Sequence, residues 1–236
     1  MLWSPPNTLA LSVLLLALPI AGCGAPPARS ARRTALPDAR PLALHTVAAV
    51  ARRAAPAVVR IAVDRSLWPT DHPVGRAVGT GFVVSPAGVV VAPASLVSGA
   101  DRITVHCAGF TKPLPVLKAR VVGRVAVLRL ASPRALPSLA LRSGAPPAIG
   151  SFVLVLGPQS AEMGVVSAEQ RLGAAAGGAA ALLQTDAPIH AEEVGGPLVD
   201  LTGRVLGMAA GSVANIRGIS FAVPATEVRL ALRGAT

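Results

Sequence analysis

The stretch GTGFVVSPAGVVVAPASLV, residues Gly79 to Val97, reads as two short apolar strands around one tight turn. Valine fills both runs, and β-branched side chains suit a pleated, half-buried surface. Between the runs, Ser85-Pro86-Ala87-Gly88 fits a type I turn with proline at its second position. Outward from this stretch the same rhythm continues. From Val58 on, runs rich in Val, Ile and Leu are separated by turn signals at roughly 8–12-residue intervals, the pattern of a β-sandwich or barrel. Gly123-Arg124, between VV and VAVL, suits a two-residue hairpin with glycine first. Leu201-Thr202-Gly203-Arg204 joins another pair of strands. The segment from Ala131 to Pro147 has no strong period and carries Pro133, Pro137, Pro146 and Pro147, so it reads as a connector between two halves. RLGAAAGGAA, Arg171 to Ala180, reads as a flexible loop by composition. Ahead of the strands, Leu44, Val47, Val50 and Ala51 fall at helical spacing until Pro56, before which a helix stops.

Composition narrows the class. The chain has 236 residues, 52% of them hydrophobic and 14% charged, which excludes a disordered or fibrous protein and leaves room for a core that needs no disulfide staples. The formal charge of +11 comes mostly from arginine, and none of it falls within the first twenty-two residues. Such charge can steer a protein toward anionic partners. No basic run is interleaved with aromatics, which make up only 3% of the chain, so nothing here points to nucleic acid.

Residues 1–22 contain an apolar stretch, Leu9 to Ala21, too short to span a bilayer comfortably but suited to a signal-peptide core. It ends in LPIAGCGAPP, which resembles a bacterial lipobox. That resemblance implies cleavage before Cys23 and acylation of Cys23, and several acyl chains hold a protein on a membrane far more firmly than one. The stretch MLWSPPNT departs from the pattern in having no Lys or Arg. Residues 23–41 then form a lipidated cysteine and a flexible, basic, Ala/Pro-rich tether. With Cys23 lipidated, only Cys107 remains, so no intramolecular disulfide forms, and Cys107 is expected to be a small buried hydrophobe.

Four stretches, in order, carry a second resemblance: AVVRIAV, GTGFVVSPAGVVVAPASLV, QTDAPIHAEEVGGPLVDLTGRVLGM and GISFAVP. Together they resemble the HtrA/Deg branch of the trypsin-like serine proteases, over about Val47 to Val228. The resemblance implies an all-β domain over residues 42–236, built as two perpendicular six-stranded β-barrels of the chymotrypsin type after a short N-terminal helix. The first barrel is expected at about 57–131 and the second at about 139–228, with no PDZ domain following.

A serine protease needs a nucleophilic hydroxyl, an imidazole to take its proton, a carboxylate to orient the imidazole, and paired amides for the oxyanion. The family's histidine follows a strand in a pattern like GYILTNNHVV, and GVVVAPASLV puts Ser95 in its place. The aspartate lies in a loop like VVGRDPRTDLAVLRL. Here VVGRVAVLRL lacks that loop, leaving Arg124 or Val125 nearest the lost carboxylate. The nucleophile's motif GNSGGPLV appears as EEVGGPLV, with Val194 at the serine position and Glu192 where a glycine amide would serve the oxyanion hole.

These departures imply a pseudoprotease, a non-catalytic member of the family anchored by lipid in the cell envelope and facing the periplasm or exterior. Its expected ligand is a peptide or protein, added beside a strand edge near Arg217, Gly218, Ile219, Ser220 and Phe221. Two alternatives remain open: a hydrolase with a rearranged set drawn from Ser95, His190, Glu192 and Glu193, and an electrostatic binder of anionic envelope components. Against the first, His190, Glu192 and Glu193 are expected to be solvated loop residues, and His45, His72 and His106 to be scattered surface or structural histidines. No HxxxH, CxxC or carboxylate cluster is present, so no metal and no cofactor are expected.

Overall fold

Pro56 ends the first helix as its ring chemistry requires. Helix α1 (Leu44–Ala54) stops two residues ahead of it, the chain makes a single 3-10 turn at Ala55–Ala57, and strand β1 (Val58–Ser66) begins at once. On β1, Val59, Ile61 and Val63 are fully buried while Arg60 between them is exposed, the two-residue period of a strand with one face on a core. The computed structural model describes residues 44–66, 73–172, 180–214 and 216–234. The leader, Cys23, the tether and most of the Arg171–Ala180 loop lie outside the described residues.

Six antiparallel strands close the first barrel: β1, β2 (Pro73–Ser85), β3 (Val89–Pro93), β4 (Arg102–His106), β5 (Leu114–Val122) and β6 (Val125–Leu130), in the order β1-β2-β3-β6-β5-β4. Six more close the second: β7 (Phe152–Leu156), β8 (Ala161–Leu172), β9 (Ala180–Thr185), β10 (Pro197–Asp200), β11 (Val205–Ser212) and β12 (Ser220–Pro224), in the order β10-β11-β12-β9-β8-β7. Counted from its own first strand, each barrel therefore has the order first, second, third, sixth, fifth, fourth. This is the chymotrypsin-like all-β double barrel with a short N-terminal helix that the sequence predicts. A one-turn helix α2 (Ala94–Val97) follows β3, and α3 (Ala225–Arg233) follows β12.

The turns close as their residues dictate. Gly88 N–H donates to Ser85 O at 3.0 Å across the Ser-Pro-Ala-Gly turn. Gly123, at φ +59°, begins the two-residue turn that leaves Val122 paired with Val125. Asp200 organises the turn into β11, its Oδ1 accepting from the amides of Thr202 at 2.8 Å and Arg204 at 3.1 Å.

One apolar cluster runs from Val50 and Ala54 of α1 through the first barrel to Leu154, Val199 and Met208 of the second. A separate cluster around Val153, Leu183, Leu198 and Leu206 fills the rest of the second barrel. A fully buried side chain such as Phe82 contributes about 2–3 kcal/mol. Because the core passes between the barrels, the loops at their junction are held from both sides.

Candidate functional site

Two of the sequence-predicted positions meet at that junction. A cavity of about 230 Å³ is lined by Ser95 and Leu96 of α2, Pro93 of β3, Ala77, Val78 and Gly79 of β2, Arg65 of β1, and Ala191 and Val194 from the loop ahead of β10. Ser95 and Val194 thus share one cleft. Neither an imidazole nor a carboxylate lines it.

Ser95 is exposed on a helix only one turn long, which has no side-chain cap at its N-terminus. Arg65 holds the other end. Its guanidinium donates to the carbonyls of Ser95 at 3.0 Å, Leu96 at 2.7 Å and Ser98 at 3.3 Å, taking up oxygens that a helix C-terminus leaves unpaired.

Val194 sits on the loop from His190 to Gly196. The loop's backbone is tied to the first barrel: Thr80 N–H donates to Val194 O at 3.2 Å, and Thr80 Oγ donates to Glu192 O at 2.5 Å. Gly195 permits this closeness. It sits at φ +93°, and a Cβ there would stand 2.0 Å from Thr80 O and 2.5 Å from Pro93 Cδ. The Val194 side chain is half-buried and packs on the apolar cluster of the second barrel. Val194 therefore lines the cleft and packs on the core beneath it.

Two neighbouring residues of one type part company in this loop. Glu192 is exposed and lines two further cavities of about 360 and 260 Å³ that it shares with Arg60. Glu193 is only 1% exposed. Its Oε1 accepts from Ser160 Oγ at 2.7 Å and its Oε2 from the His190 amide at 2.6 Å. The expectation that Glu193 is solvated is therefore corrected. The carboxylate turns inward because an amide and a hydroxyl there satisfy it, which a buried charge requires. His190 itself is exposed and does not line the Ser95–Val194 cavity.

The third predicted position does not line that cavity. Val125 is fully buried in the core. The turn before it touches α2 through its backbone, Arg124 O accepting from Ala94 N–H at 2.9 Å. The Arg124 side chain leaves toward α3, where Nε donates to Glu227 Oε1 at 3.1 Å and Nη2 donates to Glu227 Oε2 and, at 3.1 Å, to Ala181 O. A position expected beside a lost carboxylate thus carries a bidentate arginine that ties the first barrel to the C-terminal helix.

The predicted peptide edge also needs correction. Ser220 pairs with Ser212 on one side and Thr185 on the other, and Phe221 with Gly211 and Gln184. Both lie inside the barrel wall, with strands on either side. Arg217 and Gly218 form an exposed turn, and Ile219 O accepts from Val213 N–H at 3.0 Å. The open edge lies on β11. Its pairing with β10 reaches Met208, the Gly195–Ala209 bond at 2.8 Å is the last link, and Ala210–Ser212 then have no strand on that side among the described residues. Val194 borders this edge, 4.0 Å from where a Cβ on Gly211 would stand.

Cys107 is buried, and burial pushes its thiol up to about 11, which keeps it protonated and inert at neutral pH. His106 is exposed at the end of β4, while His72 and the side chain of His45 lie outside the described residues. Among the described residues no three His, Cys, Asp or Glu side chains group as a metal site needs, and no helix is long and apolar enough to cross a membrane.

Sequence reasoning missed Thr80, Ser160 and Arg65, which hold the cleft without forming its motif. For Glu193 one signal existed, since the motif GNSGGPLV also has a polar residue at that place.

Comparison with known proteins adds the following. A family model described as trypsin-like peptidase domain matches residues 79–208, which include Ser95, Arg124 and Val194. Serine protease HTRA1A of Danio rerio is 33% identical over 192 residues, covering 78% of this chain and 40% of that protein. Serine protease HTRA2, mitochondrial, of Bos taurus is 34% identical over 214 residues, covering 86% and 46%. The chain therefore spans less than half the length of these curated relatives. The crystal structure of a protease from M. tuberculosis in its active form superposes with a TM-score of 0.67 at 27% identity, over 78% of this chain and 82% of that one.

Proposed function

Because this chain belongs to the trypsin-like peptidase family, with HtrA serine proteases among its relatives, we propose that it is a non-catalytic member that binds extended peptide. The observation that carries this reading is the Ser95–Val194 cavity, where a hydroxyl faces a valine with no imidazole or carboxylate on the lining. A serine hydroxyl is a weak nucleophile until a base removes its proton, and a second hydroxyl is no base near neutral pH. Valine has no lone pair to offer. Arg124 offers no carboxylate to orient an imidazole, and its side chain is turned away to Glu227.

His190 is a poor replacement base, because it does not line the cavity that holds Ser95. Glu193 is equally poor, because both its oxygens are occupied and it is buried. What survives such losses is main-chain recognition. The stretch Ala210–Ser212, paired to β12 on one side and without a strand on the other among the described residues, offers that outer side for β-addition beside the Val194 cleft, a mode that needs no triad. Lipidation at Cys23 belongs to the same reading and would hold this cleft at a membrane surface in the cell envelope.

The test is to treat the purified domain with a fluorophosphonate probe and, separately, with a fluorogenic peptide mixture. Neither labelling nor turnover above a heat-treated control is expected. A serine labelled in stoichiometric yield would overturn the reading.

A further inference from the structure

The first barrel carries a second cavity, on its outer wall and independent of the cleft. It holds about 220 Å³ between the last turn of α3 and strands β2, β3, β5 and β6. Val84, Val89, Val127 and Leu232 supply apolar lining, and Lys118, Arg120 and Arg129 supply three cations, with no carboxylate among the lining residues.

The placement of these cations follows from register. A bulge between Val116 and Lys118 shifts β5 against β6, so that Lys118 faces Arg129 and Arg120 faces Val127. Cross-strand partners project from the same face of a sheet, and a slip of one residue would turn each side chain to the other face. The bulge is thus what sets Lys118 and Arg120 on the outer wall, in a row with Arg129 and with Val89, its partner on β3. Two like charges directly opposite each other destabilise a strand pair. None of the three cations has an ion-pair partner among the described residues. All three are exposed, so solvent screens their repulsion, and within the fold they stand unpaired beside a concave apolar surface.

We propose that this cavity is a binding site for a single anionic amphiphile, a carboxylate on an acyl chain. The chain end lies against the valines and Leu232, and the carboxylate sits between Lys118, Arg120 and Arg129. A simple anion would leave the apolar lining unused, and a neutral hydrocarbon would leave the cations unpaired. The cavity is smaller than the ~300–1,000 Å³ typical of drug-sized sites, so it takes the end of one chain rather than a bulky headgroup. Charge-assisted bonds to a carboxylate are stronger than neutral ones, and here they also relieve the Lys118–Arg129 repulsion.

The experiment titrates the domain calorimetrically with decanoate, decanol, acetate and inorganic phosphate, and measures co-sedimentation with phosphatidylglycerol vesicles. Decanoate is expected to bind at one site per chain, about tenfold or more tighter than decanol, and more weakly as salt rises. The double variant Lys118→Ala/Arg129→Ala is expected to lose decanoate binding while its melting temperature holds or rises slightly, since a repulsive pair is removed. Val89→Phe, which fills the cavity and leaves every cation in place, is expected to lose it as well. Acetate or phosphate binding as tightly as decanoate would overturn the proposal in favour of a plain anion patch. Decanol equal to decanoate would overturn it in favour of an apolar pocket. Vesicle binding without decanoate binding would make this face a membrane contact instead. Binding retained in either variant would place decanoate elsewhere.

Discussion

The loop ahead of β10 and the hairpin between β5 and β6 stand where the family resemblance sets the nucleophile and the acid of a triad, yet each departs from it in its own way. In the loop the backbone is held fast: Gly195 presses on Thr80, and the Val194 carbonyl receives the Thr80 amide, while the Val194 side chain packs on the core below. In the hairpin it is the length that departs. A tight Gly123-Arg124 turn stands in place of an exposed loop, and Arg124 is given over to tethering α3. On the proposed non-catalytic reading, the contrast gives two routes by which a fold dispenses with chemistry. One keeps the frame and exchanges the reacting atoms, and the other removes the frame. Only the first is open to point substitution, and even there Val194→Ser would restore a hydroxyl without its base.

The largest effect is expected where the loop's backbone touches the first barrel. Gly195→Ala places a methyl 2.0 Å from a carbonyl oxygen at a backbone angle that only glycine adopts easily. Neither the oxygen nor the Pro93 ring beside it is a flexible side-chain end that can swing away. A loss of about 3–5 kcal/mol is expected by chemical denaturation. A loss below about 1 kcal/mol would mean that the loop moves freely, and that frame retention is not what distinguishes it from the hairpin.

Next comes the buried carboxylate. Glu193→Ala leaves the His190 amide and the Ser160 hydroxyl without their acceptor, a loss of about 2 kcal/mol. For a domain of this size that corresponds to roughly 4–8 °C in melting temperature. Glu193→Gln, which keeps one acceptor oxygen and the shape, should recover part of it. Hydrogen exchange should quicken across 190–196 in the alanine variant and stay unchanged across 114–130. Fast exchange in both segments would mean that Glu193 supports the whole domain rather than this loop.

How much of this was legible beforehand differs between backbone and side chain. The strands, the helix that stops at Pro56 and the Gly123-Arg124 turn are local events, written in periodicity and in residues with restricted dihedrals, and they appear where the sequence places them. The place of Val194 in the cleft was legible because its neighbours Gly195, Gly196 and Pro197 anchor the motif. The burial of Glu193 beside an exposed Glu192 was not, because what decides it is Ser160, thirty-three residues away in the chain. The open edge was misplaced for the same reason. Ser220 and Phe221 look like a strand beginning, and only the pairing with Thr185 and Gln184 from β9 shows that they are enclosed. Alternation tells a strand which way to face, and it does not say which strands stand beside it.

The smallest effect is expected at the hairpin. Arg124 and Glu227 are each roughly a third exposed, so solvent screens their pairing even though the contact is bidentate. Arg124→Ala should destabilise by about 1 kcal/mol, most of it at low salt. A double-mutant cycle with Glu227→Ala should assign about half or more of that loss to the pair, with the remainder in the bond to Ala181 O. Hydrogen exchange should show α3 opening more often while the cleft loop keeps its protection. Arg124 and Glu193 share no partner, so the double variant Arg124→Ala/Glu193→Ala should equal the sum of the singles within about 0.5 kcal/mol. An excess beyond that would mean that the cleft loop and the hairpin communicate across the junction, and that the loop is held in part by the hairpin.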